Sequence, residues 1–107
     1  MKAELKDALS CIPGPAGERF AVLMEHGSMR LEFYAPQGLD PQQPHAQDEL
    51  YIVHAGEGDF VCGEKRHRFA AGDSFFVPAG AVHRFEHFSD DFATWVVFWG
   101  PPGGERE

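Results

Sequence analysis

The chain has 107 residues, 43% of them hydrophobic and ten of them Phe, which is enough for one compact domain with a core and too little for two. Nine Lys and Arg stand against seventeen Asp and Glu, a net charge of -8 with no basic run, which argues against a nucleic-acid backbone or an anionic membrane surface as partner. No apolar run approaches the ~20 residues of a membrane span, and the N-terminus lacks the apolar core of a signal peptide, so a cytoplasmic location is expected.

Residues 2 to 9 (KAELKDAL) place Leu5 and Leu9 at i, i+4 and predict a short helix, ended by the loop carrying Pro13, Gly14, Pro15 and Gly17. Segment 1–18 is then helix and loop, 19–99 the β domain, and 100–107 (GPPGGERE) a tail with little to pack, expected to be mobile. Phe20 to Glu25 and Met29 to Tyr34 read as a hairpin. In its second strand Met29, Leu31 and Phe33 form the apolar face, leaving Arg30, Glu32 and Tyr34 on the other. Arg30 is a candidate anion-binding group, but its parity conflicts with that apolar face.

Pro36 to Pro44 (PQGLDPQQP) is a loop. Glu49 to Ala55 is a strand. Phe60 to Cys62 and His67 to Phe69 flank a turn at residues 63–66, and Ser74 to Val77, Val82 to Phe88 and Phe92 to Trp99 complete the set. Eight or so short strands with turn signals at intervals of about ten residues predict an all-β sandwich or barrel. Cys11 and Cys62, far apart and outside any CxxC spacing, are expected to be free thiols.

In an extended chain Gln43, His45 and Glu49 share a parity, and His83, Phe85 and His87 share another. Two imidazoles and a carboxylate on facing strands are the raw material of a divalent metal site with open positions, to which Gln43 can add a carbonyl oxygen. The glycines and Pro78 read as turn chemistry that positions these groups. Phe33, Tyr51, Phe85, Trp95 and Trp99 read as core, some of them lining any small pocket in the barrel. His87 is open between a hydrogen-bond donor behind the ligands, a general base in the pocket and a core histidine.

The stretch GDSFFVPAGAVHRFEH resembles the second motif of the cupins, G(X)5PXG(X)2H(X)3N, through Gly72, Pro78, Gly80 and His83 with every spacing kept. Gly38, His45, Glu49 and Gly56 resemble the first motif. The resemblance implies a double-stranded β-helix, or jelly-roll barrel, and a metal held by His45, Glu49 and His83: iron, manganese, zinc or nickel. Gln43 stands where the family has its first histidine, and His87 where it often has Asn. The implied activity is a metal-dependent enzyme of dioxygenase or isomerase type acting on a small organic molecule, with His87 as its candidate base. The alternative is a non-catalytic binding or sensing module. Small cupins commonly dimerise, and Phe76, Phe88 and Val96, expected on the outer face, would suit a homodimer interface.

Overall fold

A computed structural model describes residues 1–106. Helix α1 (Leu5–Ser10) is followed by β1 (Phe20–His26), β2 (Met29–Tyr34), β3 (Asp48–Ala55), β4 (Glu57–Cys62), β5 (Lys65–Ala70), β6 (Ser74–Val77), β7 (His83–Glu86) and β8 (Ala93–Trp99). The strands form a five-stranded sheet in the order β1-β2-β8-β3-β6 and a three-stranded sheet β5-β4-β7, paired antiparallel throughout. This is the all-β jelly roll with one short helix that the motifs imply.

Between the sheets, Tyr51, Val53, Val77, Val96 and Phe98 from one meet Phe60, Phe69 and Phe85 from the other, with Phe92 from the connection before β8. The rings of Phe60, Phe69, Phe85 and Phe92 touch edge-on or tilted at centroid separations of 4.7–5.4 Å. Burial of each contributes roughly 1.5–3 kcal/mol, so this half of the barrel is a packed plug that leaves the other half to hold a site. A second, smaller cluster lies on the back of the five-stranded sheet. There Ala8 of α1 packs with Phe33, Ala35 and Ala93, and Leu5, Ile12, Leu23 and Trp95 complete it.

That second cluster reverses the expected sense of β2. Its Phe33 packs against α1, and Arg30, Glu32 and Tyr34, on the other face, line the cavity on the barrel side. Strand β8 is reversed likewise: Thr94, Val96 and Phe98 are buried inward, while Trp95 and Trp99 are only half-buried on the outer side. Val96 is therefore core, not an interface residue; Phe88 packs partly against the core, and Phe76 alone of the three is well exposed. Both parities of β8 are apolar, so alternation carried no direction there.

Three smaller differences bear on the site. The β4–β5 turn is only Gly63-Glu64, and β7 ends at Glu86, so His87 lies outside the strand. The segment after β8 finds partners: Gly103 N–H donates to Ala46 O (2.7 Å) and Glu105 N–H to Asp48 Oδ2 (3.0 Å), both beside the start of β3. Glu107, the end of the expected mobile tail, lies outside the described residues.

Gly56, between β3 and β4, has φ +90°, and a Cβ there would stand 2.6 Å from Phe92 Cα and 2.8 Å from Ser89 Oγ. Backbone strain and a backbone clash then coincide. Gly56→Ala is expected to lower unfolding free energy by about 2–4 kcal/mol in urea denaturation, against less than about 1 kcal/mol for alanine at an open, negative-φ surface position.

Candidate metal centre

Three side chains converge at one end of the barrel interior. His45 comes from the last residues of the loop before β3, Glu49 from β3, and His83 opens β7; one ligand atom from each lies within 4.8 Å of the others. The turn at 78–80 fixes His45 through the backbone: Gly80, in a left-handed conformation (φ +79°), donates its N–H to His45 O at 2.8 Å. Buried Asp48 accepts from Ala79 N–H at 2.9 Å and holds the same turn against β3. The Pro-x-Gly element thus sets a ligand's backbone without reaching the ligand atoms.

Glu49 is 1% exposed, and neither carboxylate oxygen accepts a hydrogen bond. Its Oε1 lies 3.0 Å from His83 Nε2, out of hydrogen-bond alignment, and its Oε2 lies 3.9 Å from His45 Nε2. Ligand atoms about 2 Å from a shared ion sit roughly 3–3.5 Å apart; the His83–Oε1 spacing falls in that range, the His45–Oε2 spacing exceeds it, and one ligand atom of each residue lies within 4.8 Å of the others. A buried carboxylate without donors is costly unless a cation compensates it. The unsatisfied oxygens facing two imidazoles fit a divalent metal.

His83 is oriented for that role. Its Nδ1–H donates to Ala81 O (2.9 Å), which leaves the neutral ring's Nε2 lone pair aimed at the cluster. Tyr51 Oη lies 2.9 Å from that Nε2 and 2.8 Å from Gln42 Oε1. The phenol has one proton for two acceptors, so neutral His83 and Gln42 compete for it. Protonation of Nε2, or a metal ion on it, removes the conflict.

The electrostatics agree. Burial disfavours the charged form of His83, but Glu49 and the Ala81 carbonyl outweigh it, and its pKa is raised. His45, with Glu49 as its weaker support, is lowered by burial. Burial pushes the Tyr51 phenol well above its ordinary value, and Glu49 adds to that.

Behind the cluster lies Asp40, buried in the middle of the proline-rich loop. Its carboxylate accepts from Phe85 N–H (2.8 Å), Gln42 Nε2 (2.7 Å), Gln42 N–H (3.3 Å) and the Tyr34 hydroxyl. It locks Gln42, and through it Tyr51, to the strand that carries His83. No local pattern marks Asp40, because its partners are distant in sequence. Tyr51 did have a signal: it follows Glu49 by two residues and so shares its face.

Two expected site residues are placed elsewhere. Gln43 is exposed at the rim of a cavity, and residues 41–45 are not in a strand, so the parity linking 43 to 49 does not hold; the inward amide is Gln42. His87 has φ +50°, a left-handed conformation that Asn tolerates best after Gly, which explains the Asn common at this motif position. The twist swings its side chain outward: it is 76% exposed, with Nδ1 3.2 Å from Asp59 Oδ2. His87 is not brought to the metal cluster. Cys11 and Cys62 are free, as expected.

The cavity, of about 430 Å³, opens beside His45. Phe20, Val22, Val96 and Phe98 give it apolar walls, and Arg30, Glu32, Tyr34 and Gln42 a polar side. Residues 30–99, which contain the whole cluster, match the family model for the cupin domain.

The chain is a cupin.

This cupin is 35% identical over 104 residues to the uncharacterized protein SCO3923 of Streptomyces coelicolor, covering 95% of this chain and 98% of that protein. It is 33% identical over 69 residues to dimethylsulfoniopropionate lyase DddQ of Ruegeria pomeroyi. That match takes in 63% of this chain and 34% of the lyase, so the chain spans about a third of that relative. A cupin 2 conserved barrel domain protein from Salinispora arenicola superposes with a TM-score of 0.72 at 21% identity, covering 94% of this chain and 89% of that one, a likeness of fold. Among the described residues no helix is long and apolar enough to cross a membrane.

Asp40→Ala strands the buried Phe85 N–H and the Tyr34 hydroxyl, so a loss of about 2–4 kcal/mol of unfolding free energy is expected, with Asp40→Asn intermediate. Urea denaturation of the two variants checks it.

Proposed function

We propose that this cupin is a metal-dependent enzyme that removes a proton from a small organic molecule, as an isomerase or a lyase does. The observation that carries this reading is Tyr51 Oη, 2.9 Å from the His83 Nε2 lone pair and wholly buried. The hydroxyl stands against the nitrogen that would hold the ion, where a phenol suits a base for a substrate bound beside it. His45, Glu49 and His83 would hold the ion. When bound, a divalent ion supplies Lewis-acid polarisation of a substrate carbonyl and lowers the proton affinity of a neighbouring phenol.

In its phenolate form, its own proton lost to solvent beforehand, Tyr51 Oη would take the proton from the carbon next to the substrate's carbonyl and so become the phenol again. The freed electron pair then either expels a group from the next carbon, completing an elimination, or is reprotonated at a different carbon, completing an isomerisation. Gln42 both lines the cavity and accepts the resting Tyr51 proton, so it is the group a substrate displaces. Similarity to a lyase over 69 residues supports the elimination branch. The candidate substrate is small, since the cavity is about 430 Å³.

The test is loss of α-proton or release of a leaving group, followed by proton NMR in deuterium oxide, with dimethylsulfoniopropionate and short oxo acids as probes. Zinc, nickel or iron(II) content is measured on the same samples. Wild type is expected to bind about one ion per chain, and His83→Ala and Glu49→Ala to bind less than a tenth of that. Tyr51→Phe is expected to keep the ion and lose turnover by about 10²–10⁴-fold. No metal above the two ligand variants would sink the reading. Metal with oxygen consumption and no exchange would favour a dioxygenase, and tight ligand binding without turnover a sensing module.

The pH dependence has a definite sign. Metal binding displaces the proton from His83 Nε2, so affinity climbs with pH by about tenfold per unit below the His83 pKa and levels off above it. That pKa is raised from 6.5, so the climb continues past neutral histidine's usual range. His45, whose pKa is lowered, adds slope only at more acid pH. Zinc titrations against a competing chelator across the neutral range check this; an affinity flat through that range contradicts it.

A further inference from the structure

Cross-strand register places Arg30 in line with the metal cluster. On the inner face of the five-stranded sheet, Arg30 of β2 pairs with Phe98 of β8, and Phe98 pairs with Glu49 of β3. Two interstrand spacings, about 9.5 Å, therefore separate the backbones of Arg30 and Glu49. The guanidinium lies over the Phe98 ring, Cζ 5.0 Å from its centroid, and the same ring meets His45 edge-on at 4.7 Å. One aromatic ring thus stands between the guanidinium and a metal-ligating imidazole, and Arg30, Phe98 and His45 all line one cavity.

The charges around that cavity are unequal in their pairing. Arg30 Nε lies 2.7 Å from Glu32 Oε2, out of hydrogen-bond alignment, and no other carboxylate of the described residues reaches the guanidinium within ion-pair distance. A planar fork with five donors that spends only one edge on a misaligned partner has donors left for a second, bidentate acceptor. Asp40 stands behind Tyr34 and Gln42 of the wall, so a divalent ion on His45, Glu49 and His83 together with Arg30 would balance the carboxylates of Glu32, Glu49 and Asp40, and the free guanidinium donors are what a single further carboxylate would meet there.

We propose that Arg30 is the specificity-determining residue of this cupin and receives the carboxylate of a short monocarboxylic oxo acid whose body lies over Phe98 and whose second carbonyl, at the other end, reaches the metal centre. The substrate class, small aliphatic monocarboxylic oxo acids rather than neutral or dianionic analogues, deepens the reading of the site as a metal-dependent enzyme and rests on it. Glu32 tempers Arg30, so its removal strengthens carboxylate binding.

The experiment compares butyrate with butyramide, alike in shape but not in charge, by ligand-observed and amide-detected NMR titration of zinc-loaded and zinc-free protein. Zinc content is measured on each sample. Wild type is expected to prefer butyrate by about tenfold or more. Arg30→Gln brings the two ligands within about twofold, Arg30→Lys keeps part of the preference, and Glu32→Gln tightens butyrate. A wild type without preference, or an Arg30→Gln variant that keeps it, overturns the assignment. If Arg30→Gln does not fold, as its amide spectrum shows, butyrate binding unimproved by Glu32→Gln overturns it instead. The two readings fail separately. A protein that takes up no zinc yet shows the Arg30-dependent preference discards the metal centre and keeps the subsite. Zinc uptake with a preference indifferent to Arg30 does the reverse.

Discussion

A carboxylate buried with no donor is the constraint around which this barrel is arranged. Glu49 lies on β3, next to the edge strand β6, with both oxygens sealed from water and neither accepting an aligned hydrogen bond, and nitrogens of His83 and His45 stand 3.0 and 3.9 Å from them. Desolvating such a group costs several kcal/mol unless charge of the opposite sign is close. The surrounding backbone makes no attempt to satisfy it. It is spent instead on holding the histidines: the Gly80 N–H sets His45, and the Ala81 carbonyl sets the tautomer of His83.

Asp40 shows the contrast. It too is an acid buried in the fold, but it accepts from a backbone N–H, an amide, a second backbone N–H and a phenol. A carboxylate so satisfied is a structural joint, here between the proline-rich loop and β7. The two acids differ in what surrounds them: Glu49 faces two imidazoles that could share a cation with it, and Asp40 keeps Gln42, and through it Tyr51, in place beside His83. Tyr51 belongs to both systems, because its hydroxyl touches Gln42 on one side and His83 on the other.

What was legible in the sequence was whatever depends on local spacing. The strand count, the turn before His83 and the trio His45, Glu49, His83 follow from glycine and proline punctuation and from residues a fixed number apart. What was not legible depends on partners far along the chain or on backbone twist. Gln43 and Gln42 are adjacent amides in a loop, and only the distant Asp40 and Tyr51 decide which of them turns inward. His87 follows His83 at strand spacing, yet a left-handed φ ends the strand and reverses its direction. Parity told the two faces of β2 apart without telling which face the barrel would use.

That last ambiguity has a physical answer. An apolar strand face needs a cover but not necessarily the barrel's interior, and α1 supplies one: Ala8 and Leu5 take up Phe33 from outside. With the hydrophobic demand of β2 met on its outer face, the inner face is free to carry Arg30, Glu32 and Tyr34 into a cavity that the Phe plug at the other end leaves open. Burial at the back of the sheet is therefore what permits charge at its front. A helix of six residues on the outer face thus goes with which side chains of β2 line the cavity on the inner one.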